Sequence, residues 1–241
     1  MKTKEIALPR IVGRQEWLAQ RKTLLEKEKE LTRTRDRLNA KRRRLPMVKI
    51  EKEYLFDGPD GTVNLLDLFE GRRQLMVHHF MYFDEPDTFC HGCSTEADQN
   101  YSSRFFEEMH NHDLTVVAIA RAPLSRIEEE KQKKGWKFPF YSSQGTDFNY
   151  DFQATLKNGK NSTYNYGNAG NKEWLKEYEG DLPGKSVFLR HGQDIFHTYS
   201  AYTRGLEPVA TYYNYLDLTP YGRQEEWENS PEGWPQKPTY E

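Results

Sequence analysis

The first long pattern along the chain is a helical one. Residues 14–45 contain neither Gly nor Pro and are rich in Glu, Lys, Arg and Leu, which are strong helix formers. One line of apolar side chains recurs there every seven residues: Trp17, Leu24, Leu31, Leu38 and Leu45. The second line that a coiled coil needs is interrupted at Thr32 and Asn39. The pattern predicts a single long helix whose apolar stripe crosses the neighbouring subunit of a homodimer.

Beyond this helix, apolar runs of strand length alternate with helical segments. The clearest strands are the almost continuous apolar run at 75–82 and the run at 113–120. The other predicted elements are a β-hairpin at 47–72, helices at 94–111 and 123–134, a strand at 137–142, a closing hairpin at 186–202 and a helix at 206–218. This order predicts an α/β fold with a central mixed sheet, mostly parallel, flanked by helices and closed by the antiparallel hairpin.

Changes in composition divide the chain into three predicted segments. Residues 1–46 form a basic helical arm, with 15 Lys and Arg against 6 Asp and Glu, although the whole chain has a net charge of −2. Residues 47–222 form the main domain and include an aromatic, Asn- and Gly-rich insertion at 144–183. Residues 223–241 form a tail rich in Pro and Glu, which we expect to be poorly ordered.

Composition also narrows the class of protein. Aromatic residues make up 14% of the chain, which indicates a folded protein rather than a disordered one. No apolar run approaches the roughly 20 residues that a membrane-spanning helix needs, and the N-terminus has no apolar segment typical of a secretory signal. We therefore expect a cytoplasmic protein with no membrane partner. Nucleic acid is a disfavoured partner, because the basic run at 41–44 is explained as helix C-terminal capping.

The two cysteines of the chain form one C-x-x-C pair, Cys90 and Cys93, between a predicted strand and a predicted helix. The unpaired N–H groups at a helix N-terminus favour a thiolate, so the first cysteine can act as a nucleophile. The second cysteine, one turn along, can then resolve a mixed disulfide. His91 lies between them, where its cationic form favours the thiolate further. The spacing predicts a catalytic group of Cys90, Cys93 and His91.

Other uses of the two thiolates stay open at this point. A structural zinc site normally needs four Cys or His ligands, and no second cysteine pair exists. Two thiolates and an imidazole suit Cu(I), and His197 on the closing hairpin is the candidate third ligand. In that alternative the cofactor is copper and the protein stores, delivers or uses the metal. A third hypothesis is an interaction protein whose basic arm docks a partner and whose cysteines have no role.

Two further residues are candidates for substrate binding. Arg121 follows the second central strand, at the sheet edge where parallel α/β folds bind ligands. It can bind a substrate carboxylate or pair with the acidic body of the protein. Tyr199 and His197 alternate along the closing hairpin, so we expect both to face the same side. No Gly-rich phosphate loop or G-x-S-x-G motif supports a nucleotide-dependent or serine-hydrolase activity.

Several long motifs resemble one widespread family of thioredoxin-like proteins. The resemblance covers most of residues 14–222 and rests on EWLAQRKTLLEKEKELTRTRDRL, YLFDGPDGTVNLLDLFEGRRQLMVHHFMY, VVAIARAPLSRIEEEKQKKGWKFPFYSS, DFNYDF and FHTYSAYTRGL. That family was first catalogued as a domain of unknown function and is often labelled predicted dithiol-disulfide oxidoreductase. The resemblance implies a thioredoxin-like fold close to the alkyl-hydroperoxide-reductase and thiol-specific-antioxidant branch. The activity label is itself an inference from the fold.

The site departs from the family pattern in three places. The thioredoxin Trp-Cys-Gly-Pro-Cys reads Phe-Cys-His-Gly-Cys at 89–93, so the Pro between the cysteines is absent. A thioredoxin-like site implies a cis-Pro before the strand that faces the cysteines, and Pro183 is near that place. Thr88 lies two residues before Cys90, where the peroxiredoxin pattern requires three, which disfavours a standard peroxidase.

The sequence thus favours thiol–disulfide exchange, with Cys90 attacking and Cys93 resolving. The expected partners are a small thiol or protein disulfide as substrate and a thioredoxin- or glutathione-type reductant. Reduction is the expected direction, and the favoured activity needs no cofactor.

Overall fold

The computed structural model describes residues 7–157, 163–167 and 174–235. The helices are α1 (Arg14–Arg42), α2 (His91–Asn100), α3 (Ser103–Asn111), α4 (Leu124–Lys134), α5 (Phe148–Asp151), α6 (Trp174–Glu177) and α7 (Thr211–Leu216), with 3-10 turns at Asp67–Phe69, Asn165–Gly167 and Thr203–Val209. The strands are β1 (Val48–Lys49), β2 (Leu55–Gly58), β3 (Gly61–Asn64), β4 (Gln74–His79), β5 (Tyr82–Phe83), β6 (Thr88–Phe89), β7 (Leu114–Ala120), β8 (Phe140–Ser142), β9 (Thr155–Leu156), β10 (Gly180–Asp181), β11 (Gly184–His191) and β12 (Asp194–Tyr202). None of the described helices combines the length and apolar character needed to cross a membrane.

The chain forms two compact units. One unit contains the N-terminal arm up to Leu45 together with the chain from Ala210 onward, and the other contains Pro46–Val209. In the first unit the described part of the tail makes hydrogen bonds as far as Trp234, whose N–H donates to the Pro231 carbonyl. Arg223 donates to the carboxylate of Asp217 at 2.7 Å, for example. The described parts of the arm and of the tail belong to this unit.

The second unit is built on an eight-stranded mixed sheet, in the order β1-β12-β11-β4-β7-β8-β2-β3. Strands β4, β7 and β8 are parallel to one another, and every other pairing in this sheet is antiparallel. The sequence predicted a mostly parallel sheet, and this detail was wrong. The N-terminal hairpin β2–β3 joins the same sheet beside β8, which adds antiparallel pairings on that side.

The fold is thioredoxin-like, as the sequence predicted. A β-α-β unit joins β4 to β7 through α2 and α3, and the antiparallel hairpin β11–β12 lies on the other side of β4. Helix α4 connects β7 to β8. This arrangement places the C-terminal end of β4 near the centre of the sheet edge from which the cysteine segment departs.

The two faces of the sheet bury separate clusters, because side chains alternate along each strand. Along β4, Leu75 and Val77 belong to a cluster with Phe148, which defines the Phe148 face. On the opposite side, Phe80 packs with Cys93 in the cluster that defines the Cys93 face. The cysteine pair is thus separated from the Phe148 face by the thickness of the sheet.

The predicted helix at 94–111 is two helices. Helix α2 already begins at His91, and the break falls at Tyr101 and Ser102. The Ser102 hydroxyl accepts a hydrogen bond from the backbone N–H of Phe105 at 3.2 Å and so caps the start of α3. Serine at this position satisfies one of the free donors of a new helix, which explains the interruption.

The long N-terminal helix is confirmed as α1. It buries none of its residues, and the heptad line of apolar side chains is exposed on its surface: Trp17, Leu24, Leu31 and Leu38, followed by Leu45 beyond the helix end. The homodimer that this stripe suggests stays a prediction, because the structure contains one chain.

A chain of hydrogen bonds crosses three strands on the Phe148 face. His79 Nε2 lies 2.8 Å from Ser186 Oγ, Ser186 Oγ lies 2.8 Å from Ser200 Oγ, and His197 Nε2 lies 2.7 Å from Ser200 Oγ. His79 is fully buried and its Nδ1 has no partner. Burial, with smaller effects of the charges of Lys185 and His197, lowers the pKa of His79 from the usual 6.5 to about 3. The folded protein therefore keeps this imidazole neutral.

We predict that this neutral histidine makes the protein sensitive to mild acid. The unfolded chain binds a proton at His79 below about pH 6.5, whereas the folded chain does not until about pH 3, so stability falls as the pH falls through this window. Each pH unit corresponds to about 1.4 kcal/mol for one such group. Urea unfolding between pH 6 and pH 5 should show a shallower loss in a His79→Leu variant than in the wild type. Equal slopes in the wild type and in His79→Leu would refute the prediction.

Candidate active site

The cysteine pair lies at the C-terminal end of β4, on a short hairpin and the first turn of α2. Strand β4 leads into the hairpin β5–β6, whose pairing joins Tyr82 to Phe89. Cys90 follows directly and is the N-cap residue of α2. Its backbone N–H donates to the carbonyl of Met81 at 3.0 Å, which fixes the start of the helix against the end of β4. The cysteines therefore lie between a strand and a helix, as the sequence predicted.

Cys90 is a half-buried thiol whose surroundings favour the thiolate. Its pKa is lowered from the usual 9.0 to about 6. The largest cause is a hydrogen bond from the Cys93 thiol, which outweighs the opposing effect of burial. The backbone N–H groups of Cys93 and Gly92 also donate to the sulfur, and the charge of His91 adds a smaller contribution. The two backbone donors are free N–H groups of the helix N-terminus.

The surroundings of Cys93, in contrast, favour its protonated thiol. It is only 5% exposed. Its hydrogen bond to Cys90 and its burial raise its pKa well above 9.0, and the charge on Cys90 raises it further. The backbone N–H of Met81 and the ammonium of Lys185 act in the other direction and stabilise a Cys93 thiolate. The pair therefore consists of one accessible, acidic thiol and one buried, protonated thiol.

His91 lies where the sequence placed it, exposed on the first turn of α2 between the two cysteines. Its Nε2 is 3.5 Å from the hydroxyl of Thr95, one turn along the helix. Its contribution at the site is electrostatic, through the lowered pKa of Cys90.

A buried ion pair beneath α2 was not found from the sequence. Lys185 Nζ lies 2.7 Å from Glu96 Oε1, and the two side chains are only 8% and 12% exposed. The same ammonium donates to the hydroxyl of Tyr101 at 3.4 Å, and this hydroxyl is 2.8 Å from His78 Nδ1. Burial lowers the pKa of Lys185, and Glu96 partly offsets this effect. The sequence does indicate that Glu96 lies near Cys93, because it follows three residues later on the same helix and so lies on the same side of it.

A second buried charge, Asp181, holds the insertion beside the cysteine hairpin. One carboxylate oxygen accepts from Arg121 Nε and from the hydroxyl of Thr155, both at 2.7 Å. The other accepts from the backbone N–H of Tyr82 at 3.0 Å. Burial raises the pKa of Asp181, and Arg121 is the main group that opposes this effect. Arg121, predicted from the sequence to bind substrate or to pair with the acidic body, is thus paired with an internal carboxylate.

The remaining nitrogen atoms of Arg121 have weaker partners. Nη1 is 3.4 Å from the hydroxyl of Tyr150, and Nη2 is 3.8 Å from the exposed carboxylate of Asp84. Arg121 also lines a small cavity of about 190 Å³ with Gln144 and Tyr150. Substrate binding by Arg121 stays a prediction, and its structural role is to neutralise Asp181.

The structure does not bring His197 to the cysteines. Its ring packs at 5.2 Å from that of Phe152 and 5.5 Å from that of Phe188, on the Phe148 face of the sheet. Cys93 is buried on the opposite face. Across the described residues, no group of three or more His, Cys, Asp or Glu side chains is placed to hold a metal ion. The copper site predicted from Cys90, Cys93 and His197 is therefore not assembled.

Tyr199 was expected on the same side as His197, and this expectation was wrong. The register between β11 and β12 shifts, so that Val187 pairs with Tyr199 whereas Phe188 pairs with His197. The extra residue is Thr198, and a β-bulge of this kind reverses the alternation of side chains. Tyr199 is level with Met76 of β4, away from the end of the strand that leads to the cysteines.

Pro183 directly precedes β11, the strand that faces the cysteine segment. Among the described peptide bonds the cis bond is Glu85–Pro86, so the bond before Pro183 is trans. The cis-Pro that the resemblance implied at this place is absent.

The relative sizes of the interactions that lower the pKa of Cys90 can be tested directly. Because the Cys93 thiol is the largest cause, a Cys93→Ala variant should raise the pKa of Cys90 from about 6 towards the usual 9.0. A His91→Ala variant should raise it by less, since this charge is the smallest cause. The pH dependence of the rate at which iodoacetamide alkylates Cys90, followed by mass spectrometry, measures both pKa values. A His91→Ala shift as large as that of Cys93→Ala would contradict this ranking.

The buried ion pair gives a stability test. Replacing Lys185 by Met leaves Glu96 buried without its partner, which should destabilise the protein by about 3–5 kcal/mol. The double variant Lys185→Met/Glu96→Gln removes both charges and should recover most of this loss. Urea unfolding at pH 7 measures the three free energies of unfolding. A double variant less stable than Lys185→Met alone would show that the two groups do not form a coupled pair.

Comparisons with known proteins give the following matches. The peroxidoxin BcpB from Mycobacterium tuberculosis has a TM-score of 0.47 and 10% identity over 69% of this chain and 94% of that chain. A PrxQ mutant from Xylella fastidiosa has a TM-score of 0.43 and 11% identity over 67% and 89%. Peroxiredoxin Q from Xanthomonas campestris has a TM-score of 0.41 and 14% identity over 65% and 87%. No curated protein matches the sequence.

The sequence model of one family matches residues 6–240, nearly the whole chain. The protein therefore belongs to the family described as bacterial protein of unknown function (DUF899).

Proposed function

We propose that the protein is a dithiol–disulfide oxidoreductase in which Cys90 attacks and Cys93 resolves. The observation that carries this proposal is the opposite character of the two thiols. Cys90 is half-buried and its pKa is lowered to about 6, whereas Cys93 is buried and its pKa is raised. A nucleophilic thiol with a pKa near the ambient pH combines a high thiolate fraction with good nucleophilicity.

In the first step the Cys90 thiolate attacks one sulfur of a substrate disulfide. A bond forms between Cys90 Sγ and that sulfur, the substrate disulfide breaks, and one substrate thiolate leaves and takes a proton. The Cys93 thiol donates its hydrogen bond to Cys90 before the attack. This contact holds the resolving sulfur beside the sulfur that it must later reach.

In the second step Cys93 loses its proton and attacks Cys90 Sγ. The mixed disulfide breaks, the second substrate thiolate leaves, and Cys90 and Cys93 become a disulfide, so two electrons pass from the dithiol to the substrate. The ammonium of Lys185 and the N–H of Met81 stabilise the Cys93 thiolate as it forms. An external thiol reductant of the thioredoxin or glutathione type returns the pair to the dithiol.

The alternatives from the sequence have less support. A copper function needs a third ligand, and His197 lies on the other face of the sheet. A protein whose cysteines have no role does not need two thiols with opposite pKa shifts at a helix N-terminus.

Single-turnover chemistry with bis(2-hydroxyethyl) disulfide tests the proposal. The wild type should form the Cys90–Cys93 disulfide, and Cys90→Ser should not react. Cys93→Ser should stop at a stable mixed disulfide on Cys90, seen in the intact mass as one added half of the reagent. His197→Ala is the control for the copper alternative and should react like the wild type. Reductase activity retained by Cys90→Ser would refute the assignment of the attacking thiol.

A further inference from the structure

We propose that the dithiol acts on disulfides of low molecular weight and excludes disulfides held in a polypeptide, because the backbone beside the dithiol is already occupied by the protein's own groups. This proposal rests on the proposed thiol–disulfide exchange and specifies its substrate class. It is argued from the segment Asp181–Pro183 and from two tyrosines of the insertion, Tyr164 and Tyr178.

The segment at 181–183 runs beside the residues that position the cysteines. Gly184, at the start of β11, pairs with His79 at the end of β4. From there the two segments continue side by side, and the carboxylate of Asp181 accepts from the backbone N–H of Tyr82. The preceding residue, Met81, contacts both cysteines, since its carbonyl accepts from the Cys90 N–H and its own N–H donates to Cys93. The segment therefore runs beside the backbone that contacts both cysteines.

An extended peptide binds such a segment by adding a strand, which requires free backbone donors and acceptors. One side of the segment already pairs with β9, because Gly180 pairs with Leu156 and the Leu182 N–H donates to the Ala154 carbonyl. In an antiparallel pair the residues between these hydrogen-bonded positions point their backbone groups to the other side. By this alternation the N–H of Asp181 and the carbonyls of Asp181 and Pro183 face away from β9.

Both of these outward carbonyls are capped by tyrosine hydroxyls. Tyr178 donates to the Asp181 carbonyl at 2.8 Å, and Tyr164 donates to the Pro183 carbonyl at 2.6 Å. Pro183 has no N–H to offer. The segment is also covered, since Asp181 and Leu182 are both buried. A peptide that approached this side would have to displace a tyrosine before it gained a backbone hydrogen bond.

The same tyrosines lie within electrostatic range of the two sulfurs. Burial chiefly raises the pKa of Tyr178, and the negative charges of Asp181 and Cys90 raise it further. Burial likewise raises the pKa of Tyr164, with smaller contributions that include the charge of Cys93. The charges of the two sulfurs thus act on the same tyrosines that cap the carbonyls. A small disulfide needs only access to Cys90 Sγ, which is partly exposed, and no backbone pairing.

Two probes separate this proposal from the proposed function. Reduced protein is mixed in stopped flow with bis(2-hydroxyethyl) disulfide or with insulin, whose disulfides are held in a polypeptide. We expect oxidation by the small disulfide to be faster by about 30- to 100-fold, as two blocked backbone hydrogen bonds of about 1 kcal/mol or more each imply. Comparable second-order rates would overturn the substrate class while leaving the exchange function intact. No reaction with either probe would instead overturn the proposed function.

A matched pair of variants tests whether the tyrosine caps cause the slower reaction with polypeptide disulfides. Tyr178→Ala uncaps the Asp181 carbonyl and removes a half-buried ring, so the insulin rate should rise by about tenfold with the small-disulfide rate within twofold of wild type. The control Tyr166→Ala removes a tyrosine of the same insertion that is 55% exposed and donates to the Ser200 carbonyl instead. It should leave both rates unchanged. An unchanged insulin rate in Tyr178→Ala, or an equal rise in both rates, would overturn the proposal.

Discussion

The ammonium of Lys185 is buried beneath α2, and the ion pair that neutralises it joins the elements around the dithiol. A charged group taken out of water is strongly destabilising unless a partner of opposite charge with good geometry accompanies it. Glu96 supplies that partner at 2.7 Å, and it does so from the helix that also carries Cys93. Since Lys185 belongs to β11, the ion pair ties the closing hairpin to the cysteine helix. The Lys185–Glu96 ion pair therefore helps to fix the position of Cys93 over the sheet.

Asp181 imposes the same constraint on the insertion. Its carboxylate is only 1% exposed and is compensated by Arg121, Thr155 and the N–H of Tyr82, which come from three different parts of the chain. Loops usually lie on the surface because their backbone polar groups need water. Here the insertion lies against the site because a buried carboxylate and two tyrosine hydroxyls satisfy those groups internally. The two buried charges thus hold the elements on either side of the cysteines.

Whether a feature of the fold or of the site can be predicted depends on how far apart in the sequence the interacting residues lie. The fold class, the long helix and the place of Cys90 at a helix start follow from local patterns, which the sequence shows directly. The pairing of Lys185 with Glu96 joins positions 89 residues apart, and no periodicity reveals it. Tyr199 was placed on the wrong face because one bulged residue reverses a strand's alternation, and the sequence at Thr198 carries no signal for a bulge. His197 illustrates the same limit: its residue type suits copper, but its place on the Phe148 face depends on the whole sheet.

The lowered pKa of Cys90 has a consequence for the direction of electron flow. The hydrogen bonds that stabilise its thiolate exist only in the dithiol state, since the sulfur loses its charge when the disulfide forms. They therefore stabilise the reduced protein and make the pair a weaker reductant than a dithiol with ordinary pKa values. An external thiol reaches the half-buried Cys90 sulfur rather than the buried Cys93, so Cys93 leaves as a thiolate that the N–H of Met81 and the ammonium of Lys185 stabilise. A site of this kind is reduced readily, and the supply of external reductant, rather than the site alone, sets how fast it passes electrons on.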